Sequence, residues 1–466
     1  MNEHWQMSTG TPPPLRRTGD APPVRMAHLG LGAFHRSHQA WWTGAVGRGD
    51  PWGIAAFTGR SPAAATALQA QDGLYTLLVR GPDADEAELV TAIARAADGA
   101  DTAAFSGCLA DPAVRVLTLT VTEAGYRQAA DGGLDRAHPA VATDLAALSG
   151  SGAGPGLPLR TAPGRVVAGL RARRRADAGP VALVPCDNLS GNGEVLRRVV
   201  MDLADAADPR LAAWIAESVS FVSTAVDRIT PRTTGEDVAT AARLTGWADR
   251  APVVTEPFRE WVLAGDFPGG RPPWEEAGAR FVADVTPYER RKLWLLNGAH
   301  SILAYAGLLR GRRTIADAWA DDRCRGWVHD WWAEATRHLP PSVAASGGAY
   351  QDQLAERFGN PRIGHLLDQV AADGSQKLRM RAVPVLRRER AAGRRGTASL
   401  RMIACWIAYV RGKQNGPPDL ADPLATTLLV TRRPADLLAL LAPDLAADAE
   451  ITADLNALLA EHQKGR

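Results

Sequence analysis

The stretch RMAHLGLGAFHR, residues 25–36, constrains the fold more than any other part of the chain. It opens as an apolar run of strand length. Gly30 and Gly32 then make a tight turn, and a helix is expected from about Arg36. A second apolar run, WGIAAFTG (52–59), leads into the helical pattern SPAAATALQAQ. Strand, glycine turn, helix, strand is the βαβ unit of dinucleotide-binding folds. The glycines there let the backbone approach a pyrophosphate, which sits on helix N–H groups. The third glycine of the usual spacing is missing, because His35 stands in its place, and an ordinary glycine turn would read the same way. The second strand ends without an Asp or Glu for the adenosine ribose. Arg60 and Ser61 stand there instead, which keeps a 2′-phosphorylated dinucleotide open.

The alternation continues. GLYTLLVRG (73–81) and AELVTAIARAA (87–97) read as a hairpin-like insertion. VRVLTLTVTEAGY (114–126) is a β-branched strand ending in a loop with Thr122 and Glu123. VALVPCDNLSGNG (181–193) is a buried strand running into polar residues, and SVSFVSTAVDRITP (218–231) repeats that form. Ligands of open α/β sheets bind where strands turn polar at their C-terminal ends, so Asn188, Asn192 and Asp227 are cleft candidates, with turn and capping chemistry as the alternative. Residues 150–180 begin as a loop and become a basic helix whose arginines read as a solvated face. From about residue 286 the texture is helical. The expectation is an α/β chain with a Pro-rich flexible tail over 1–24, a Rossmann-type dinucleotide-binding domain over 25–285 and a mostly α-helical domain over 286–466.

Composition excludes several classes. A formal net charge of +2 gives no reason to expect nucleic acid or a membrane surface as partner. The arginine runs at 171–175 and 387–395 are balanced by acids elsewhere. No apolar run is long enough to span a bilayer, and the N-terminal residues lack an apolar signal core. Cys108, Cys186, Cys324 and Cys405 are scattered, which disfavours a disulfide scaffold or a cysteine zinc site and makes a reduced cytoplasm the default. His35 and His38 stand three apart without a third ligand, so no metal is expected.

Lysine occurs only at 292, 377, 413 and 464, against 49 arginines. A retained lysine marks a place where arginine fails, and losing a proton is what lysine does and arginine does not. Lys292 opens KLWLLNGAHSILAYAG (292–307), a helix apolar almost all round. Burying an amine, an amide and an imidazole there is costly unless each finds a partner or faces a cavity. At ~100° per residue, Lys292, Asn297 and His300 fit on a face about 140° wide. Satisfied core residues are one reading. The other is hydride chemistry without metal: desolvation lowers a lysine's pKa so that it can accept an alcohol proton, and Asn297 and His300 donate to the developing alkoxide.

Taken together, GLGAFHRSHQA, TVTEAGY, CDNLSGNG, VDRITP, YERRKLWLLNGAHS and NPRIGHLLDQVAADGSQK resemble the polyol-specific long-chain dehydrogenases, the mannitol dehydrogenase/fructuronate reductase group, over nearly all of 25–450. The resemblance implies a metal-independent enzyme using NAD, with NADP not excluded, acting on a small sugar acid or polyol as a monomer or homodimer. It implies Lys292 as base, Asn297 and His300 as the pair polarising the reacting oxygen, and Glu289 as the acid passing the proton to solvent. Gly30, Gly32, Phe34 and Arg36 match the cofactor loop, with Arg60, Thr122 and Glu123 at neighbouring strand ends. Asn188, Asp227 and Lys377 match substrate-side positions. Mannitol 2-dehydrogenases carry an arginine where this chain has Gln369. DGSQK, with Arg381 four residues beyond Lys377 on the same helix face, and QDGLYTLLVRG lie closer to the fructuronate reductase branch. A uronate carboxylate would be the target of those cations.

Overall fold

The computed structural model describes residues 12–47, 49–150, 156, 158–414 and 419–464. The expected tail over residues 1–11 and the start of the 150–180 loop (151–155) lie outside that description, as does the side chain of Lys464. The chain divides into two compact units, Met1–Val285 and Thr286–Arg466.

Among its described residues the first unit holds twelve strands: β1 Val24–Leu29, β2 Gly53–Phe57, β3 Tyr75–Arg80, β4 Asp85–Val90, β5 Ile93–Ala97, β6 Val116–Leu119, β7 Val181–Pro185, β8 Val219–Phe221, β9 Ser223–Asp227, β10 Val253–Thr255, β11 Glu260–Ala264 and β12 Arg280–Phe281. Six make one parallel sheet in the order β5-β2-β1-β6-β7-β8. This is the doubly wound Rossmann arrangement, and the winding reverses between β1 and β6. Helices cover both faces, so the strands are apolar without alternation: β2 and β7 are buried at every position. Met26, Ile54, Ala56 and Val116 face one core, and Ala27, Leu29, Phe57 and Leu117 face the other.

Several details differ from the sequence expectation, each for a local reason. The segment 87–97 is not one arm of a hairpin. β4 pairs antiparallel with β3, but β5 leaves it and joins β2 in the main sheet. The segment 218–231 is likewise two strands: β8 lies beside β7, and β9 turns away to pair with β11. The cause is Asn192. Its buried side-chain oxygen accepts from the Thr224 amide at 2.9 Å and its amide donates to the Thr224 carbonyl at 3.1 Å, taking the groups that a longer β8 would have offered. Asn192 is therefore spent on the fold and is not a cleft residue. Part of the expected tail is tied down: Leu15 is buried, and the Arg17 guanidinium donates to the carbonyls of Asp72, Thr91 and Ile93. The arginines at 171–175 are not one solvated face. Arg173 is 1% exposed and donates to the carbonyls of Leu109, Val114, Ala178, Gly179 and Pro180, because a guanidinium's fork of donors suits loop carbonyls that have no strand partner.

The second unit is helical. Helix Gly298–Leu309 is buried from Gly298 to Gly307 and packs on Asp322–Thr336, Leu367–Ala371 and Thr397–Lys413. The basic run after 387 is paired: Arg387 with Asp444, Arg390 with Glu450, Arg394 with Glu389 and Arg395 with Asp454. Among the described residues no helix is long and apolar enough to cross a membrane, and no cluster of three metal-ligating side chains occurs.

Candidate active site

In the first unit the glycine turn lies at the point where the sheet reverses. Gly30 has φ +112°, and a Cβ there would come within 2.3 Å of the Thr120 carbonyl oxygen beyond β6, so no other residue fits. The Gly30 and Leu31 amides donate to the Phe57 carbonyl, and Thr120 Oγ1 donates to the Gly30 carbonyl at 2.7 Å. The turn is thus pinned to the ends of β2 and β6. At Gly32 the nearest atom to an added Cβ is 3.5 Å away, so the backbone there is open, as a pyrophosphate cradle requires. Arg36 does not reach outward. Its guanidinium donates to the Gly32 carbonyl at 3.2 Å and the Ala251 carbonyl at 2.5 Å, so it buttresses the turn, and burial lowers its pKa. Phe34 is half-buried and stacks on His38 at 5.1 Å. Arg60, Thr122, Glu123 and Asn188 are exposed at strand ends, whereas Asp227 is buried at the end of β9.

Sequence reasoning passed over two features of this unit. His28 in β1 bonds Thr118 at 2.8 Å and Thr120 at 3.1 Å, and its ring stacks on His35 at 3.4 Å. A histidine inside an apolar parallel strand was the available signal. Tyr126 donates to the Asp187 carboxylate, whose pKa burial raises; nothing in the sequence links those two positions.

In the second unit Lys292, Asn297 and His300 lie on one continuous helical stretch, but not with α geometry throughout. Lys292–Asn297 is a π-helix, and the Gly298 amide donates to the Leu293 carbonyl five residues back. An α-helix stacks residues four apart, whereas a π turn stacks residues five apart. The 140° fan expected for an α-helix therefore closes, and Asn297 comes round above Lys292. Both are half-buried, and Glu289 precedes them in helix Thr286–Arg291. His300 is 9% exposed, with His365 edge-on at 5.3 Å and Phe358 at 5.1 Å. Burial holds its pKa well below the ordinary value, and His365, Arg357, Arg381 and Lys377 push it further down, so the imidazole is neutral and keeps one N–H to donate.

Lys377 and Arg381 share a face of helix Gly374–Ala391. Lys377 Nζ donates to the Val370 carbonyl at 3.1 Å. Burial lowers its pKa and Arg381 adds to the shift, against Asp373 and Asp422. Arg381, pushed down to about 10 by burial, donates Nη1 to the Asn297 carbonyl and to Ser301 Oγ, both at 2.9 Å. Gln369 is exposed.

Residues 24–276 match the mannitol dehydrogenase Rossmann domain and residues 284–459 the mannitol dehydrogenase C-terminal domain. The chain belongs to the mannitol dehydrogenase family. It is an oxidoreductase of the class whose members act on sugar alcohols and sugar acids. Within the family it is similar to the D-mannonate oxidoreductase of Escherichia coli strain K12, at 37% identity over 86% of this chain and 83% of the relative. It is equally similar to the mannitol 2-dehydrogenase of Cereibacter sphaeroides, at 37% identity over 83% and 81%. The Pseudomonas fluorescens mannitol 2-dehydrogenase, solved as a ternary complex with NAD and D-mannitol, superposes with a TM-score of 0.79 at 31% identity, covering 98% of this chain and 95% of that one.

Proposed function

We propose that this enzyme interconverts D-fructuronate and D-mannonate with NAD(H), as a cytoplasmic monomer or homodimer. The nicotinamide, when bound, supplies or accepts the hydride. The chain's own residues handle the proton and the charge. In the oxidation direction Lys292 Nζ takes the hydroxyl proton while Asn297 and neutral His300 donate to the oxygen as it becomes a carbonyl, and Glu289 passes the proton on to solvent. Reduction runs the same steps backward. Gly30, Gly32 and Phe34 line the dinucleotide turn that Arg36 supports, with Arg60, Thr122 and Glu123 at its rim. Asn188 and Asp227 lie on the substrate side.

The single observation that carries the substrate reading is the pair of cations on one face of helix Gly374–Ala391: Lys377 Nζ at the Val370 carbonyl and Arg381 Nη1 at the Asn297 carbonyl. Cations so placed favour a substrate that brings a carboxylate. The test is NADH oxidation with fructuronate against fructose, repeated with NADPH. Faster turnover of fructose makes this a neutral polyol dehydrogenase, the second reading, and leaves the proton-transfer scheme in place. Lys292→Ala should bind NADH and fail to turn over; full activity in that variant removes the scheme itself.

A further inference from the structure

The π turn Lys292–Asn297 has no proline to impose it, yet three of its main-chain carbonyls receive side-chain donors from elsewhere in the second unit. Trp331 Nε1 donates to the Trp294 carbonyl at 2.7 Å, and Trp332 Nε1 donates to the Leu295 carbonyl at 2.9 Å. Two consecutive indoles thus take two consecutive carbonyls. Arg381 Nη1 takes the Asn297 carbonyl, and Ser301 Oγ donates to the same oxygen at 3.3 Å. Both indoles are buried, and the approach of Trp331 is cut close: a Cβ on Gly298 would lie 2.5 Å from its Nε1. Ordinary helical carbonyls need no such help, because their own ladder satisfies them.

We infer that Trp331, Trp332 and Arg381 are positioning residues that hold this π turn and thereby align Lys292 with Asn297 and His300. The inference rests on the reading of those three as the catalytic group. Were the turn to relax to α geometry, Asn297 and His300 would rotate by about 100°, one residue's worth, relative to Lys292. The base and the oxygen-binding donors would then spread over the wider fan of about 140° instead of stacking above one another, which misplaces the donors relative to the base. Gly298 has a part in the same device, since it lets the Trp331 indole cross the backbone. Arg381 acts on the reaction through Asn297, and its Nη1 is engaged there.

The test is a double-substitution cycle. Trp331→Phe keeps an aromatic ring and removes the donor; kcat should fall roughly 10- to 100-fold, the cost of a misplacement near an ångström, with substrate KM and NADH Kd near the parent values. In an Asn297→Ala background the same substitution should cost at least about 3-fold less in kcat than in the parent, because one of the two donors it aligns is gone and only His300 remains to be misplaced. Additive losses overturn the inference, since a merely structural role would act regardless of Asn297, and they leave the catalytic reading standing. Parental activity in Asn297→Ala alone instead removes the catalytic reading, and the inference with it. If Trp331→Phe does not fold, Arg381→Gln goes through the same cycle. A raised KM for fructuronate with unchanged kcat would overturn its assignment as a positioning residue.

Discussion

Lys377 offers the sharpest separation of a uronate enzyme from a polyol enzyme. Lys377→Gln keeps a hydrogen-bond donor of similar reach and removes the charge. In the structure the ammonium is held by the Val370 carbonyl, which leaves two protons for a ligand. A hydrogen bond between charged partners contributes about 1.5–3 kcal/mol and one between neutral partners about 0.5–1.5. The difference, about 1–1.5 kcal/mol, at 1.4 kcal/mol per factor of ten predicts a loss in kcat/KM for fructuronate of roughly 5- to 12-fold, and a smaller loss for fructose. Because the contact is made in ground state and transition state alike, the loss should fall on KM. Steady-state NADH oxidation with both substrates, at two salt concentrations, measures it; added salt should narrow the gap. The sign with pH follows from the lowered pKa of this lysine. As pH rises through that value the charge is lost, so KM for the uronate should climb at a pH below that of an ordinary lysine, while KM for the neutral substrate stays level. Equal losses for the two substrates would refute the reasoning.

Two further predictions concern the first unit. Gly30→Ala would force φ +112° on a residue with a Cβ, at a cost of about 1–2 kcal/mol, and drive that Cβ into Thr120. NADH binding by calorimetry should disappear, and a variant with the parent's Kd would show that the turn is not the cofactor site. Burial holds His28 down to about 3 and His35 well below its ordinary value, so below about pH 6.5 the unfolded chain takes up protons that the folded chain does not. Stability should therefore fall with decreasing pH, by up to ~1.4 kcal/mol per pH unit for each ring. Urea midpoints followed from neutrality to about pH 5 should show a shallower fall in His35→Gln, and an unchanged slope contradicts the assignment.

Much of the fold was readable because strands buried on both faces must be apolar throughout, and WGIAAF or VALVP has few other places to go. What escaped was set by distant partners. The break between β8 and β9 is made by Asn192, and the burial of Arg173 by carbonyls of loops that the sequence does not bring near it. The site shows the same division. Residue types at 292, 297 and 300 declared themselves through charge and amide on an apolar helix. The π turn that lines them up did not, because KLWLLN suits either helical form and its donors stand 37 and 84 residues away. Arg381 reads as a substrate cation from spacing alone, and only its bond to the Asn297 carbonyl gives it another task.

The order of the parallel sheet has a consequence in time. β1, which precedes the other five strands of the sheet in the chain, is a central one, and on one side it waits for β6, with Met26 opposite Val116 about 90 residues later. Every neighbouring pair in that sheet is joined by a long excursion, so none can close as a local hairpin. Loop closure must be met before any ladder rewards it, which makes assembly slow and leaves β1 and β2 with bare edges during synthesis. Growth temperature and chaperone supply should therefore govern the yield of this enzyme more than its final stability does.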